Sequence, residues 1–429
     1  MFCGSCMHDN TLARALVAQG AEVNLIPTYT PIRIDEQDLS TREIFFGGIN
    51  VYLDYRWSLW RKLPPRLTRW FDAPWILNLA TKFVSSNARQ LGDITLAMLE
   101  GESGPQRREV EVLVDFLAGL KPDVICFSNV LLVGALRSLR SRFDGKIFCI
   151  LQGDDVFLED LPQPYRTQAL QEIHDRAQAF DGFLVHSRYY RDFMSGYLGL
   201  PFEKFHLIPL GIDLEGHDGR PGPRNNDAFT IGYFARVCAE KGLSQLVEAF
   251  RILHAKHPQV RLRAGGYLGK RDTAYFQEIL NRTKDLGTAF EYIGSPQSRV
   301  EKVDFLKSLD VLSVPTVYRE PKGLYVLEAL ANGVPVVQPR HGAFPEMIET
   351  TGGGLLVQPN DAHDLARALE ELMHDPERRT ELATIGHARV HARYGPKTMA
   401  ESTLAVLENS LSDSTGRENT DKQDVQDER

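Results

Sequence analysis

Glu320 and Glu328 stand eight positions apart in the stretch Glu320-Pro321-Lys322-Gly323-Leu324-Tyr325-Val326-Leu327-Glu328, with a glycine between them. An apolar run, Leu309 to Val314, precedes the stretch, and a helix is expected over Leu324 to Ala331. A strand that feeds a glycine turn and then a helix gathers unbonded backbone N–H groups and the positive end of the helix dipole at one place, which suits an anion such as a phosphate. Glu320 stays on the loop while Glu328 enters the helix, so the two carboxylates meet different surroundings.

Arg236 and Lys241 form the second chemical pair, on the loop after the first strand of the second half, where a helix from Leu243 also aims its N-terminus. A guanidinium fork plus an ammonium neutralises a diphosphate, both as bound group and as leaving group. Taken alone, an Arg and a Lys five apart are weak evidence, and a solvated surface loop is the default reading. Their position after a parallel strand, together with the acidic pair, favours the diphosphate. In the first half, Gln152-Gly153-Asp154-Asp155 follows a strand over Lys146 to Leu151, and His186-Ser187 follows a strand over Gly182 to Val185. Ends of parallel strands are where ligands bind, although a strand-end His is often structural. Cys3-Gly4-Ser5-Cys6 has redox or metal spacing, but no second Cys/His pair with zinc spacing follows it, and a plain glycine-bearing loop is the simpler reading. No metal-binding Asp-x-Asp pair is evident near these residues, since Asp154 and Asp155 are adjacent.

These residues need a scaffold of alternating strands and helices. At 429 residues the chain is too long for one ordinary core, and two domains are the natural division. From Arg107 the strand–helix alternation is regular, with near-continuous apolar strands, as in a parallel sheet covered on both faces. The expected fold class is therefore α/β, with two Rossmann-like doubly wound domains facing across a cleft. The first spans 1–215, a Gly/Pro-rich linker occupies 216–228, and the second spans 229–395. A helix over 396–411 is a candidate for packing back on the first domain, and the acidic tail 412–429 is expected to be disordered. Near the start, a helix over 8–20 leads to a strand over Ala21 to Pro27 with no strand before it. The expectation is a first strand upstream of Met1, with Met1 to Asp9 as the loop that follows it.

A formal charge of −8 argues against a chain that coats nucleic acid. No apolar run approaches the roughly 18 residues that would span a bilayer, and no charged-then-apolar leader opens the sequence. Five cysteines at scattered positions suit a reducing compartment. The expected location is the cytoplasm. All four tryptophans (Trp57, Trp60, Trp70, Trp75) lie among Arg56, Arg61, Lys62, Arg66 and Arg69, a mixture that fits peripheral contact with anionic lipid at the inner membrane surface, or equally a helical excursion packed on its own domain.

Gly232, Arg236, Lys241-Gly242, Gly265-Gly266, the Glu320-to-Glu328 stretch within EPKGLYVLEALANGVPVV, and Gly342 through Glu346 resemble the retaining glycosyltransferases of family 4, which have the two-Rossmann GT-B fold. The resemblance is specific over residues 229–360 and weaker over the first half, through Ile208 to Asp213. It implies a nucleotide-diphosphate sugar as donor substrate, with no further cofactor, and an unidentified glycan or lipid-linked acceptor. Arg236 and Lys241 would hold the diphosphate, and the N–H groups at Gly323 and Leu324 would meet phosphate. Gly265 would join the donor-binding set, Glu320 would bind donor-sugar hydroxyls, and Glu328 would accept from the ribose. Gln152, Asp154 and His186 are the acceptor-side candidates. Gln152 stands where members often have a His, and Lys322 where many have an aromatic. Retaining, metal-independent sugar transfer is the leading expectation. A GT-B epimerase or phosphorylase, or a non-catalytic sugar-nucleotide-binding protein, remains open.

Overall fold

The computed structural model describes residues 4–28, 32, 34–41, 45–46, 88–219 and 228–427. The Trp57–Trp75 segment, Cys3 and most of the linker lie outside them.

The first half contributes α1 (Gly4–Ala18), α2 (Ala88–Glu100), α3 (Arg107–Leu120), β1 (Val124–Phe127), α4 (Leu136–Arg140), β2 (Lys146–Ile150), α5 (Asp154–Glu159), α6 (Tyr165–Ala177), β3 (Gly182–Val185), α7 (Arg188–Leu198) and β4 (Phe205–Leu207). The strands are parallel, in the order β1-β2-β3-β4. Every residue of β3 is buried, which is why Gly182-Phe-Leu-Val185 reads as a continuous apolar run rather than an alternating one. Two expectations are corrected here. Ala21 to Pro27 is not a strand of this sheet: Leu25 and Thr28 make only isolated bridges, to Ser40 and Phe45. Pro27 has no N–H to give a ladder, and the facing residues pair one at a time. The helix expected from residue 8 begins at Gly4.

The second half contributes β5 (Thr230–Phe234), α8 (Leu243–Lys256), β6 (Arg261–Gly265), α9 (Thr273–Thr283), β7 (Phe290–Tyr292), α10 (Arg299–Lys307), β8 (Val311–Leu312), α11 (Leu324–Ala331), β9 (Val336–Pro339), α12 (Phe344–Thr351), β10 (Gly354–Val357), α13 (Ala362–His374) and α14 (Pro376–Arg393). Its sheet is also parallel, ordered β10-β9-β8-β5-β6-β7. The chain leaves β5 toward β6 and β7, then returns to β8 on the other side of β5. The strand order reverses between β5 and β8, and the ends of strands at such a reversal are where ligands bind in parallel sheets. α11 is buried from Tyr325 through Ala331. A helix apolar on all sides belongs inside, so Glu328 within it requires a partner.

The last helix, α15 (Pro396–Asp427), returns to the first half and packs against α1. Met399 is fully buried in a small cluster with Leu12, Phe148, Ile150, Leu184 and Ile208. The helix continues past Ser412, where the sequence pattern predicts disorder. Once packing has nucleated its first turns, each added residue gains a hydrogen bond at little cost, and no proline intervenes.

Candidate functional site

Lys241 is delivered by a turn that only glycine completes. Gly242 has φ +75°, and a Cβ there would collide with the Pro315 carbonyl oxygen, so the β5 loop lies directly against the β8 loop. Lys241 Nζ donates to Glu320 Oε2 at 2.6 Å and to the Tyr318 hydroxyl at 2.6 Å. The ammonium also lies near the faces of Tyr318 and Tyr325, at 5.1 and 5.4 Å from the ring centroids. Arg236 occupies the same loop and is exposed; its Nε donates to Cys238 Sγ at 3.3 Å, and its carbonyl accepts from the Tyr233 hydroxyl. Gly265 ends β6, and a Cβ on Gly266 beside it (φ +132°) would collide with the Ala235 carbonyl, which packs this strand end tightly on the Arg236 loop.

Glu320 is 4% exposed. Its Oε2 accepts from Lys241, from Tyr318 at 2.8 Å and from Tyr325 at 3.0 Å, whereas Oε1 takes one long bond, 3.4 Å, from the Lys322 N–H. Burial alone would raise the carboxyl pKa. The Lys241 ammonium and the two tyrosine hydroxyls outweigh it and hold the group at about 2. The backbone is fixed too: Glu320 O accepts from Ala343 N at 2.8 Å, and a Cβ at Gly342 (φ +60°) would sit 2.5 Å from that oxygen. Gly323 (φ +69°) precedes α11, so Leu324 opens the helix against this carboxylate.

Glu328 does not stand open to a ligand. It is 6% exposed, and Oε1 accepts from Lys302 Nζ at 2.8 Å. The same ammonium is 2.6 Å from Asp35 Oδ2 of the N-terminal half. Burial would lower the Lys302 pKa, but Glu328 and Asp35 overcome it and raise the value. Beside this triad, Arg299 Nη1 bonds Asp213 at 2.9 Å, and Arg14 bonds the same carboxylate at 2.9 Å. Charged groups thus join the two halves.

A second junction between the halves is Lys322, whose Nζ donates to Gln152 Oε1 at 2.9 Å and Ser5 Oγ at 3.2 Å. Gln152 Nε2 in turn donates to Asp9 Oδ1 at 2.7 Å. Gln152 therefore faces the loop that carries Glu320 and Lys322. Asp154 does not: it is buried, and its oxygens accept from Val130 N (2.8 Å) and Gln152 N (2.9 Å), so it shapes the turn that presents Gln152. Burial raises its pKa. His186 is likewise turned inward, with Nδ1 on Ile208 O at 3.2 Å, Nε2 buried without a hydrogen-bond partner among the described residues, and its ring 4.4 Å from that of His8. Burial depresses the pKa of both imidazoles, and both are neutral at pH 7. A third crossing comes from Glu346, whose Oε2 accepts from the first N–H of α7, Arg188, at 2.8 Å.

Tyr318, Tyr325, Lys302, Asp35 and Asp9 escape the reading of the sequence. Tyr325 and Tyr318 flank Glu320 closely enough to be suspected, but Lys302 and Asp35 reach Glu328 from 26 and 293 positions away, and only the fold brings them together. Two surface hollows, around Arg340 and Asp361 and around Arg251 and Asp285, are lined by none of the Glu320 cluster.

Two parallel α/β domains with a site at the strand-order reversal define the GT-B glycosyltransferase fold. Sucrose-phosphate synthase from Thermosynechococcus elongatus superposes with a TM-score of 0.67 over 94% of this chain and 92% of that one, at 20% identity. Anabaena Alr3699/HepE, solved with UDP, gives 0.60 over 72% of this chain and 84% of that one, at 19% identity. Residues 218–389 match the family model described as glycosyl transferases group 1. Among curated relatives, the capsular polysaccharide biosynthesis glycosyltransferase CapM of Staphylococcus aureus is 25% identical over 51% of this chain and 55% of its own length. The D-inositol 3-phosphate glycosyltransferase of Corynebacterium aurimucosum is 31% identical over 41% and 42%. The chain spans about half the length of the curated relatives it matches. These likenesses support the GT-B fold, with the match to group 1 glycosyl transferases confined to residues 218–389.

Proposed function

We propose that the chain transfers a sugar from a nucleotide-diphosphate donor to a hydroxyl acceptor with retention of anomeric configuration. The observation that carries this reading is the Lys241–Glu320 pair, set between Tyr318, Tyr325 and the start of α11, at the point where the strand order reverses. UDP and UDP-glucose bound to the Anabaena neighbour agree with a sugar-nucleotide donor.

The anomeric carbon–oxygen bond to the diphosphate breaks, and charge builds on the departing phosphate. Lys241, Arg236 and the N-terminal N–H groups of α11 stabilise that charge, with no divalent ion assigned to the step. Glu320 Oε1 accepts a donor-sugar hydroxyl and faces the positive charge that develops at the sugar. The acceptor oxygen enters on the side the phosphate leaves, so the departing oxygen is placed to take its proton. Glu328 binds ribose hydroxyls after Lys302 yields one of its contacts. Gln152 and Lys322 lie across the cleft, and an acceptor meets them first. The acceptor is a glycan or lipid-linked hydroxyl, and the reaction takes place in the cytoplasm, with the Trp57–Trp75 segment touching anionic membrane.

The test is incubation of the full chain with UDP-, GDP- and ADP-sugars, with an acceptor panel and with EDTA. Nucleoside diphosphate release with an α-configured product from an α-configured donor, undiminished by EDTA, is expected. An altered sugar nucleotide with no transfer would assign the chain to epimerases instead, and donor binding with no turnover would make it a sugar-nucleotide-binding protein.

A further inference from the structure

The C-terminal ends of α8 and α13, two helices packed on each other, meet at the surface of the second domain. His257 caps α8, and Glu370 and His374 lie four apart on α13, hence on one face of that helix. His257 Nε2 is 2.9 Å from Glu370 Oε1, the rings of His257 and His374 are 5.0 Å apart at 72°, and one ligand atom from each residue falls within 4.8 Å of the others. None of the three belongs to the Glu320 cluster. We propose that His257, Glu370 and His374 form a binding site for a divalent transition-metal ion of the zinc class, with water completing the coordination.

Two imidazoles and a carboxylate are a donor set that suits zinc, and three protein ligands leave a tetrahedral position for water. Metal–ligand bonds of about 2.0–2.2 Å bring ligand atoms to roughly 3.3 Å from one another. Glu370 and His257 already stand within that separation, and rotation of exposed His374 closes the remaining gap. The electrostatics favour a cation independently of the ligands, because the negative ends of two helix dipoles converge here. A cation is in fact already present: Lys256 Nζ lies 3.1 and 3.4 Å from the two Glu370 oxygens. The ion would displace that ammonium and tie α8 to α13. α8 rises about 21 Å between its ends, so the ion at His257 is remote from Lys241 and acts on the stability of the domain.

The experiment titrates tag-free full chain with Zn2+ by calorimetry and follows its melting. One saturable site is expected, with the midpoint raised by about 5 °C at hundredfold excess over Kd. His374→Ala and Glu370→Gln each lose at least tenfold in affinity, Lys256→Met gains several-fold, and His363→Ala, on an exposed part of the same helix, changes nothing. Absence of a one-to-one isotherm, equal loss in His363→Ala, or weaker binding in Lys256→Met would overturn the assignment.

Discussion

One oxygen of Glu320 takes three hydrogen bonds, and that convergence makes the residue a sensor of acid. Its folded pKa of about 2 lies below the ordinary 4.5, so the stability it contributes is present above pH 4.5 and is lost as pH falls from there toward 2. The shift corresponds to about 3 kcal/mol. Denaturant melts from pH 6 to 2.5 should therefore show a decline that is shallower in Glu320→Gln. Lys302 poses the complementary case. Lys302→Met leaves Asp35 and Glu328 buried and facing each other without their cation, and a loss of about 3–5 kcal/mol in urea unfolding is expected. Adding Asp35→Asn to that variant should recover part of it, which a double-mutant cycle reads directly. At this scale the sequence reveals those residues that sit on a strand–turn–helix junction, Lys241 and Glu320. It conceals those defined by distant partners. Nothing near Lys302 in KVDFLK distinguishes a buried ion pair from a solvated helical lysine, and Asp154 and His186 resemble ligand groups until their inward hydrogen bonds are known.

Between residues and the whole lie the turns. Gly242 and Gly342 are positions where the β5 and β9 loops are pressed against the backbone of the β8 loop, the first against Pro315 and the second against Glu320. Gly242→Ala forces a side chain into the Pro315 carbonyl at positive φ, displacing the start of α8 and with it Lys241. Donor affinity, measured by titration with the nucleotide sugar or diphosphate, should fall by at least tenfold while the α-helical circular dichroism stays near wild type. Elements with local signatures are legible in the amino-acid order alone: the buried strands β2 and β3, and α11 with a glycine just ahead of it. Ala21 to Pro27 has the composition of a strand without a partner that pairs along its length. The stretch after Ser412 has the composition of a disordered tail but inherits helix from the packed turns before it. In both, the outcome is set by neighbours rather than by the segment itself.

For the molecule as a whole, α15 binds the end of the chain to its beginning. Met399→Ala removes a fully buried side chain from the cluster it forms with Leu12, Phe148, Ile150, Leu184 and Ile208, and should cost about 2–5 kcal/mol in denaturant unfolding. Hydrogen exchange should quicken in α1 and β2, not in the second-domain sheet. The division into two α/β halves is readable from periodicity. The destination of α15 is less so, because an amphipathic helix does not say which surface it will cover.

The same crossing sets an order of events during synthesis. Roughly 190 residues separate the end of β4 from Met399, which at roughly 5–20 residues/s is about 10–40 s of translation. Throughout that interval the first domain has its strands but not its final wall, and the patch around Leu12, Ile150 and Ile208 faces water or a chaperone. The second domain, made later, draws its sheet and the helices that cover it from 230–393, and is complete before the first can close. The half synthesised first is thus the half that finishes last.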